Sequence, residues 1–218
     1  MALKRFASID VGSFEIELGI YEFSKGGGIR LVDNVRHVIA LGSDTYRNGE
    51  ISFPLVQELI AVLKDFTRII AEYRCEAYRA IATSAMREAT NSAIVLDQIK
   101  TRTGLSVQIL SNAEQRMLVL KEPAACGERF DALANEGAAV VEVGFGSMQV
   151  SLYEAGKMQS TQNLRLGALR LRDTLQQLNS ARDDRERILQ ETVAHELDVY
   201  EHLHLRGRRV RPLIAIGD

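Results

Sequence analysis

The chain opens with alternating apolar and polar positions, the period of strands that bury one face. An apolar strand is predicted at residues 6–10, and after a glycine turn Ile16, Leu18 and Ile20 mark a returning strand. A third strand pattern covers residues 29–40. Because short turns connect these strands, we expect an antiparallel meander.

Beyond this meander, apolar residues recur every three or four positions. This spacing runs from Pro54 to Tyr73 and predicts an amphipathic helix that covers one face of the sheet. Strands that alternate with helices follow, which favours parallel pairing between those strands. The predicted strands are residues 77–82 and 106–110, and the predicted helices are residues 92–103 and 114–125.

A polar stretch at residues 128–137 precedes a second copy of the opening order. The elements predicted after it are a strand, a glycine turn, two strands, a helix and a last strand, at residues 138–143, 144–147, 148–154, 158–165, 183–203 and 213–216. The repeated order of strand, loop, strand and strand predicts two lobes. We place them at residues 1–127 and 128–218.

Composition and charge are those of an ordinary folded protein. Apolar residues make up 46% of the 218 residues, and the net charge of -2 gives no general attraction to DNA or to anionic membranes. The N-terminus lacks the apolar region of a signal peptide, and no apolar run is long enough to span a membrane. Cys75 and Cys126 lack the paired spacing of zinc or redox motifs, so we expect reduced thiols and a cytoplasmic protein.

Two loops combine an acidic residue, glycine and a hydroxyl at the end of an apolar strand. The first is Asp10-Val11-Gly12-Ser13, and the second runs from Glu142 to Ser147 through Gly144 and Gly146. Glycine lets the backbone curl so that successive N–H groups point at one anion, and the hydroxyl adds a donor. The acid can hold a metal ion or position water. Two such turns could grip a phosphate chain from both sides.

Each loop also has other interpretations. A single Asp-x-Gly-Ser at a strand end is most often a hairpin turn, and only its recurrence favours phosphate binding. The G-x-G of the second loop allows a Rossmann site, but Met148, Val150 and Leu152 continue as a strand where that motif requires a helix. The chain has no Walker-type phosphate loop.

A third candidate segment, from Thr83 to Ala89, follows the predicted strand at residues 77–82. Thr83 or Ser84 can cap a helix, while Arg87 projects from its first turn, where backbone amides and a guanidinium together suit phosphate. Capping alone explains the segment equally well, so the sequence leaves both interpretations open.

Together these segments resemble the exopolyphosphatase and guanosine pentaphosphate phosphohydrolase (Ppx/GppA) family of the actin-like, ribonuclease H-related superfamily. The resemblance implies an α/β, two-lobed actin-like (ribonuclease H-like) fold with mixed sheets. The motif order stops near residues 213–218, which implies an incomplete second lobe with an exposed sheet edge, and a homodimer is one way to bury it. Besides the loops, the similar segments are residues 83–89, Leu110-Ser111-Asn112-Ala113-Glu114-Gln115 and Leu166-Gly167-Ala168-Leu169-Arg170-Leu171.

The resemblance also implies a site in a cleft between the lobes. There Mg²⁺ would assist release of the terminal phosphate from polyphosphate or pppGpp by an attacking water. The resemblance places the metal at Asp10 and Glu142, and the catalytic position at Gln115 with Glu114 beside it. The residues that it implies for phosphate binding are Gly12, Ser13, Thr83, Arg87, Gly144, Gly146 and Ser147.

Several positions depart from the family pattern where the chemistry takes place. The catalytic glutamate aligns with Gln115, which can orient water but cannot accept its proton. Glu114 is adjacent, but one residue along a helix lies about 100° around its axis. Glu142 replaces an aspartate, Phe145 a glycine and Gln149 a glutamate. These changes predict a weakened metal site and leave open a phosphohydrolase of low activity, a silent protein that binds polyphosphate or guanosine polyphosphate, or another actin-like role such as a kinase.

Overall fold

A computed structural model describes residues 3–24, 28–119, 128–177, 182–205 and 210–217 of the chain. The chain divides into two compact units, Met1–Ser111 and Asn112–Asp218. The predicted boundary after residue 127 adjoins the segment 120–127, which lies outside the described residues, and it stays a prediction. Each unit contains one mixed β-sheet.

The first unit contains the predicted meander. Strands β1 (Lys4–Val11), β2 (Glu15–Ser24) and β3 (Gly28–Val38) pair antiparallel, and β4 (Ala77–Ala82) and β5 (Val107–Ile109) extend the sheet in parallel beside β1. The strand order is β3-β2-β1-β4-β5. Both predictions of pairing direction in this unit are confirmed.

The helices of the first unit are α1 (Leu41–Asn48), α2 (Phe53–Glu72), α3 (Ser84–Glu88) and α4 (Ser92–Thr103). The long helix α2 and the helix α4 were predicted, and α4 ends at Gly104 in the left-handed conformation. One sheet face, with Ile9 and Leu18, is fully buried in a core that also includes Leu63 and Phe66 of α2. The sheet residues of alternate register, including Asp10, lie on the other face.

The second unit repeats this order. Strands β6 (Ala138–Val143), β7 (Met148–Glu154) and β8 (Lys157–Leu164) form an antiparallel meander, and β9 (Leu213–Ile216) pairs parallel to β6. The order β8-β7-β6-β9 leaves β9 at an edge, where Leu213 is exposed, as expected from the sequence. A homodimer that covers this edge stays a prediction.

In the second unit, one helix lies in a stretch for which no helix was predicted, and another ends earlier than predicted. The polar stretch at 128–137 contains helix α6 (Glu128–Glu136), because Phe130 and Ala134, one helical turn apart, pack on Val140 of the sheet. The predicted helix 183–203 is α8 (Arg182–Tyr200), followed by a π-helical turn at Glu201–Leu205. The other helices are α5 (Asn112–Val119), whose predicted continuation to residue 125 lies outside the described residues, and α7 (Ala168–Gln177), which was not predicted.

Two further observations concern the expected environment of the chain. Cys75 carries a free, half-buried thiol whose pKa is raised by burial, while Cys126 lies outside the described residues. None of the helices in the described ranges is long and apolar enough to cross a membrane.

Candidate functional site

The two glycine loops close with the same backbone hydrogen bond. After β1, the Gly12 amide donates to the Glu15 carbonyl at 3.0 Å, and after β6 the Gly144 amide donates to the Ser147 carbonyl at 3.0 Å. A Cβ at Gly12 would lie 2.7 Å from the Glu15 carbonyl oxygen, so this turn requires glycine. The predicted repeat of the loops is therefore present in their geometry.

Hydrogen bonds from residues of helix α7 hold the second loop in place. The amides of Ala168 and Leu169 donate to the carbonyls of Gly144 and Phe145 at 3.1 and 2.9 Å. The Arg170 guanidinium donates through Nε to the Gly146 carbonyl at 3.0 Å. The N-terminal amides of α7, which have no partner inside their own helix, are thus satisfied by the loop.

This clamp determines where the loop amides point. The N–H and C=O groups of a trans peptide point in opposite directions. Because the carbonyls of Gly144, Phe145 and Gly146 are directed at α7, the N–H groups of the next residues, Phe145, Gly146 and Ser147, face away from it. Successive amides on one side of a loop are the arrangement that binds anions.

The first loop is held in a similar way by the chain that enters α1. The carbonyl of Ser13 accepts a hydrogen bond from the Gly42 amide at 2.8 Å, and the carbonyl of Phe14 accepts one from the Ile39 amide at 2.9 Å. The amides of Phe14 and Glu15 therefore point away from α1.

The Ser13 side chain has partners that the sequence did not predict. It is only 5% exposed, and its Oγ lies 2.8 Å from the Tyr46 hydroxyl and 2.8 Å from the Ser84 Oγ. The Tyr46 and Ser84 hydroxyls are 3.0 Å apart. The predicted role of Ser13 in phosphate binding stays a prediction, but its hydroxyl already belongs to a network within the protein.

Asp10 lies among other carboxylates on the face of the first sheet that carries no apolar core. It is directly opposite Glu17 on β2, and Glu15 lies two residues from Glu17 on the same face. The Asp10 side chain is exposed, but many protein atoms lie near its carboxylate and reduce its hydration. This desolvation by burial, together with the charges of Glu17 and Glu15, raises the pKa of Asp10 from 3.8 to about 6.

A basic side chain offsets part of this charge. Arg36 on β3 lies 3.5 Å from Glu17 and 3.7 Å from Glu15, measured from guanidinium nitrogen to carboxylate oxygen. Asn34 donates a further hydrogen bond to Glu17 at 2.6 Å. Arg36 is half exposed, so these ion pairs contribute little to stability.

The segment after β4 positions Arg87 next to the end of β5. The Thr83 carbonyl accepts the Arg87 amide at 2.9 Å, but the Thr83 side chain makes no capping hydrogen bond to α3. The Arg87 guanidinium donates to the Leu110 carbonyl at 2.7 Å and is half-buried, and this burial lowers its pKa. Arginine stays cationic in proteins, so the group keeps its suitability for phosphate.

The predicted catalytic position lies in the second unit. Glu114 and Gln115 are in the first turns of α5, where Glu114 is exposed and Gln115 is half-buried. Glu142 of β6 is half-buried and lies opposite Gln149 of β7. Gln149 is 4% exposed, and its Oε1 makes no hydrogen bond to any residue that the structure describes.

A magnesium ion at the first loop stays a prediction, and Asp10 is the carboxylate there that would hold it. Among the described residues, no group of three or more His, Cys, Asp or Glu side chains is placed to hold a metal. Mg²⁺, however, is commonly held by one or two carboxylates together with phosphate oxygens of the substrate. Asp10, whose pKa is raised by burial and then by like charges, would gain from a nearby cation. The corresponding role of Glu142 stays a prediction.

Comparison with known proteins links both units to one family. Residues 20–207 match the family model described as the Ppx/GppA phosphatase family. The match includes the second glycine loop and the segment around Arg87, and it begins after the first loop. The chain belongs to the Ppx/GppA phosphatase family. The family that the sequence motifs indicated is thereby confirmed.

Two curated relatives of this Ppx/GppA chain are exopolyphosphatases. It is 29% identical to exopolyphosphatase 1 of Mycobacterium tuberculosis over 168 residues, which cover 77% of the chain and 47% of that protein. It is 27% identical to exopolyphosphatase 2 of the same organism over 200 residues, covering 84% of the chain and 60% of the relative. The chain thus spans about half the length of the first of these relatives.

Solved structures show the fold. A Ppx/GppA family member from Aquifex aeolicus superimposes with a TM-score of 0.69 at 23% identity, covering 100% of this chain and 67% of that one. An exopolyphosphatase from Cytophaga hutchinsonii gives 0.80 at 20% identity, covering 97% and 66%. The predicted α/β, actin-like fold with mixed sheets is confirmed.

Proposed function

We propose that this Ppx/GppA chain releases terminal phosphate from polyphosphate or pppGpp, with activity weakened by the residues at its catalytic position. The observation that supports this proposal best is the turn shared by the two loops, in which Gly12 and Gly144 close the same backbone hydrogen bond at 3.0 Å. A single hairpin needs no such repetition, so the recurrence of the turn favours a shared role of the two loops in phosphate binding.

Phosphate would be bound chiefly by backbone donors. The amides of Gly146 and Ser147 face away from α7, on the side of the loop where phosphate oxygens would be bound. Arg87, held at the Leu110 carbonyl, would neutralise charge on the transferring group. Thr83, which directly precedes α3 and whose side chain makes no capping bond, would add a hydroxyl donor.

Water attack would depend on α5. The Gln115 amide can accept a hydrogen bond from water and hold it, but it has no basic oxygen to take the proton. Glu114 is a carboxylate but projects from a different side of the helix. Mg²⁺ bound at Asp10 would neutralise charge on the phosphate oxygens. We therefore expect Gln115 to hold the attacking water in position without removing its proton efficiently.

A second candidate function is binding without turnover. Gln115 and the buried Gln149 both carry amides where the family pattern has carboxylates. The loops and Arg87 need neither residue in order to bind an anion. A protein that binds polyphosphate or a guanosine polyphosphate as a sensor or regulatory subunit would keep the loops and lose these acids.

Restoring the carboxylate at position 115 tests the proposal. Phosphate release from polyphosphate and from pppGpp, with Mg²⁺, is compared for the natural chain, Gln115→Glu and the control Gln159→Glu. Gln159 is an exposed residue of β8, so its variant adds the same charge on a different element of the second unit. We expect slow release by the natural chain, a gain of about a hundredfold for Gln115→Glu and no gain for the control.

The outcomes separate the two candidates. No release by the natural chain together with release by Gln115→Glu favours the binding function, while rapid release by the natural chain excludes it. If neither protein releases phosphate and calorimetry detects no polyphosphate binding, the assignment of the loops to phosphate is wrong.

A further inference from the structure

A closed network of three hydroxyls lies beneath the first loop. Ser13 of the loop, Tyr46 of α1 and Ser84 of α3 are joined by contacts of 2.8, 2.8 and 3.0 Å between their oxygens. Ser13 and Ser84 are each 5% exposed, and Tyr46 is half-buried. No sequence motif includes Tyr46, and none of the roles assigned above uses it.

Each hydroxyl in such a ring can donate one hydrogen bond to a neighbour and accept another. A buried hydroxyl that loses its partner carries a desolvation cost, which makes the ring resist deformation. Tyr46 has a rigid ring with few rotatable bonds, and its hydroxyl reaches both serines. Tyr46 therefore adds a second connection between the first loop and α3, beside the direct contact between Ser13 and Ser84.

The same network adjoins Arg87. Ser84 begins the short helix that carries Arg87, and the intervening Ala85 and Met86 are completely buried, so the helix cannot shift without moving the core. Tyr46 is also close enough to Arg87 to influence its pKa, although burial is the larger effect. A displacement of Tyr46 would thus affect both the first loop and the Arg87 guanidinium.

We propose that Tyr46 is a positioning residue that couples the first loop, held at Ser13, to Arg87, so that the loop and the guanidinium bind one phosphate chain together. This inference rests on the proposed phosphate function but holds for an active hydrolase and for a silent binder alike. It gives α1, which the sequence did not predict, a role in ligand binding.

A double-mutant cycle on the complete chain tests this coupling. Calorimetry measures the Kd of tripolyphosphate for the natural chain, Tyr46→Phe, Arg87→Lys and the double variant. We expect Tyr46→Phe to weaken binding by about threefold to tenfold, the worth of one hydrogen bond. In the Arg87→Lys background the same change should weaken binding much less, because the bidentate guanidinium that Tyr46 helps to position is absent.

Tyr78→Phe is the matched control. The Tyr78 hydroxyl accepts a hydrogen bond from the Ser106 amide at 2.9 Å, so this variant loses one hydroxyl contact in the first unit, where Tyr46→Phe loses two. Its Tm should also fall, with an unchanged Kd for tripolyphosphate.

Two results would overturn the coupling. In the first, Tyr46→Phe lowers the Tm but leaves the Kd at the natural value, as the control does. In the second, the effects of Tyr46→Phe and Arg87→Lys on the Kd simply multiply. A natural chain that neither binds tripolyphosphate nor releases phosphate contradicts the proposed function itself, and the coupling falls with it.

Discussion

Gln149 of β7 lies directly opposite Glu142 of β6, at the place that Glu17 occupies opposite Asp10 in the first unit. The two sheets therefore present different cross-strand pairs beside equivalent loops. In the first unit two carboxylates face each other, whereas in the second an amide faces a carboxylate. Residues directly opposite on antiparallel strands have Cβ atoms about 5 Å apart, close enough for this difference to matter electrostatically.

Changing Gln149→Glu should make the second unit depend on divalent cations for its stability. Gln149 is 4% exposed, so a carboxylate there is a buried charge opposite Glu142. We expect a loss of about 3 kcal/mol in the free energy of unfolding without metal. Added Mg²⁺ should recover much of this loss, because a cation can bind between the two acids.

Urea unfolding at neutral pH, with Mg²⁺ or with a chelator, measures the effect. Gln159→Glu on the exposed part of β8 is the control, with little change under either condition. Equal destabilisation of Gln149→Glu in the two conditions would show that the second loop holds no cation.

Glu17→Gln should lower the pKa of Asp10. Burial is the largest cause of the rise to about 6, followed by the charges of Glu17 and Glu15. Removing the Glu17 charge should therefore move the Asp10 titration down toward its ordinary value of 3.8 without reaching it. The ¹³C chemical shift of the Asp10 carboxyl follows the titration directly.

The matched control for this change is Glu58→Gln. Glu58 is an exposed residue of α2 and is not among the causes of the Asp10 shift. Loss of the Glu58 charge should leave the midpoint of the Asp10 titration unchanged. An unchanged midpoint in Glu17→Gln as well would mean that burial alone raises the pKa.

Asp10→Asn should stabilise the protein above pH 6 but not at low pH. The folded pKa of about 6 exceeds the ordinary value of 3.8, so folding opposes ionisation of this acid. Its contribution to stability is full below pH 3.8 and is lost as the pH rises through about 6. Because solvent reaches the side chain, we expect a gain of only about 1 kcal/mol in the asparagine variant at neutral pH.

Chemical unfolding over this pH range measures the difference between the natural chain and Asp10→Asn. The difference should shrink as the pH falls, since the natural residue then becomes neutral too. The same substitution at the exposed Asp97 of α4 should give no pH-dependent difference. A gain for Asp10→Asn that is independent of pH would mean that charge is not its cause.

The sequence predicted the elements whose periodic pattern is strong. The meanders, α2 and α4 carry a clear period of two or of three to four residues, because each buries one continuous apolar face. Helices α1 and α7 are short and polar, and their first turns are held by carbonyls of the glycine loops. Such contacts form only in the folded chain, so the local pattern of apolar residues does not predict these helices.

Some residues of the candidate site stand out in the sequence, and others do not. The glycines and acids of both loops stand out in the sequence because they interrupt an apolar strand pattern. Glu15 and Glu17 occupy polar positions of the alternating pattern in β2. Tyr46 had no comparable signal, since its partners Ser13 and Ser84 are distant in sequence. The buried, unsatisfied oxygen of Gln149 likewise emerges only from packing.

Gly167→Ala should displace the second loop. A Cβ at Gly167 would lie 2.2 Å from the Gly146 carbonyl carbon and 2.3 Å from the Phe145 carbonyl oxygen. Both are backbone atoms, so no side-chain rotation relieves the contact, and either the loop or α7 must move. We expect a loss of about 3 kcal/mol in the free energy of unfolding.

The displacement should also weaken tripolyphosphate binding, because the amides of Phe145, Gly146 and Ser147 point correctly only while α7 holds the loop carbonyls. Gly104→Ala is the control: Gly104 has a φ of +78° and open space around it, so the variant carries backbone strain of about 1 kcal/mol without a clash. Urea unfolding and calorimetry on both variants measure the two effects. Natural binding by a folded Gly167→Ala protein would show that the clamp by α7 does not determine where the loop amides point.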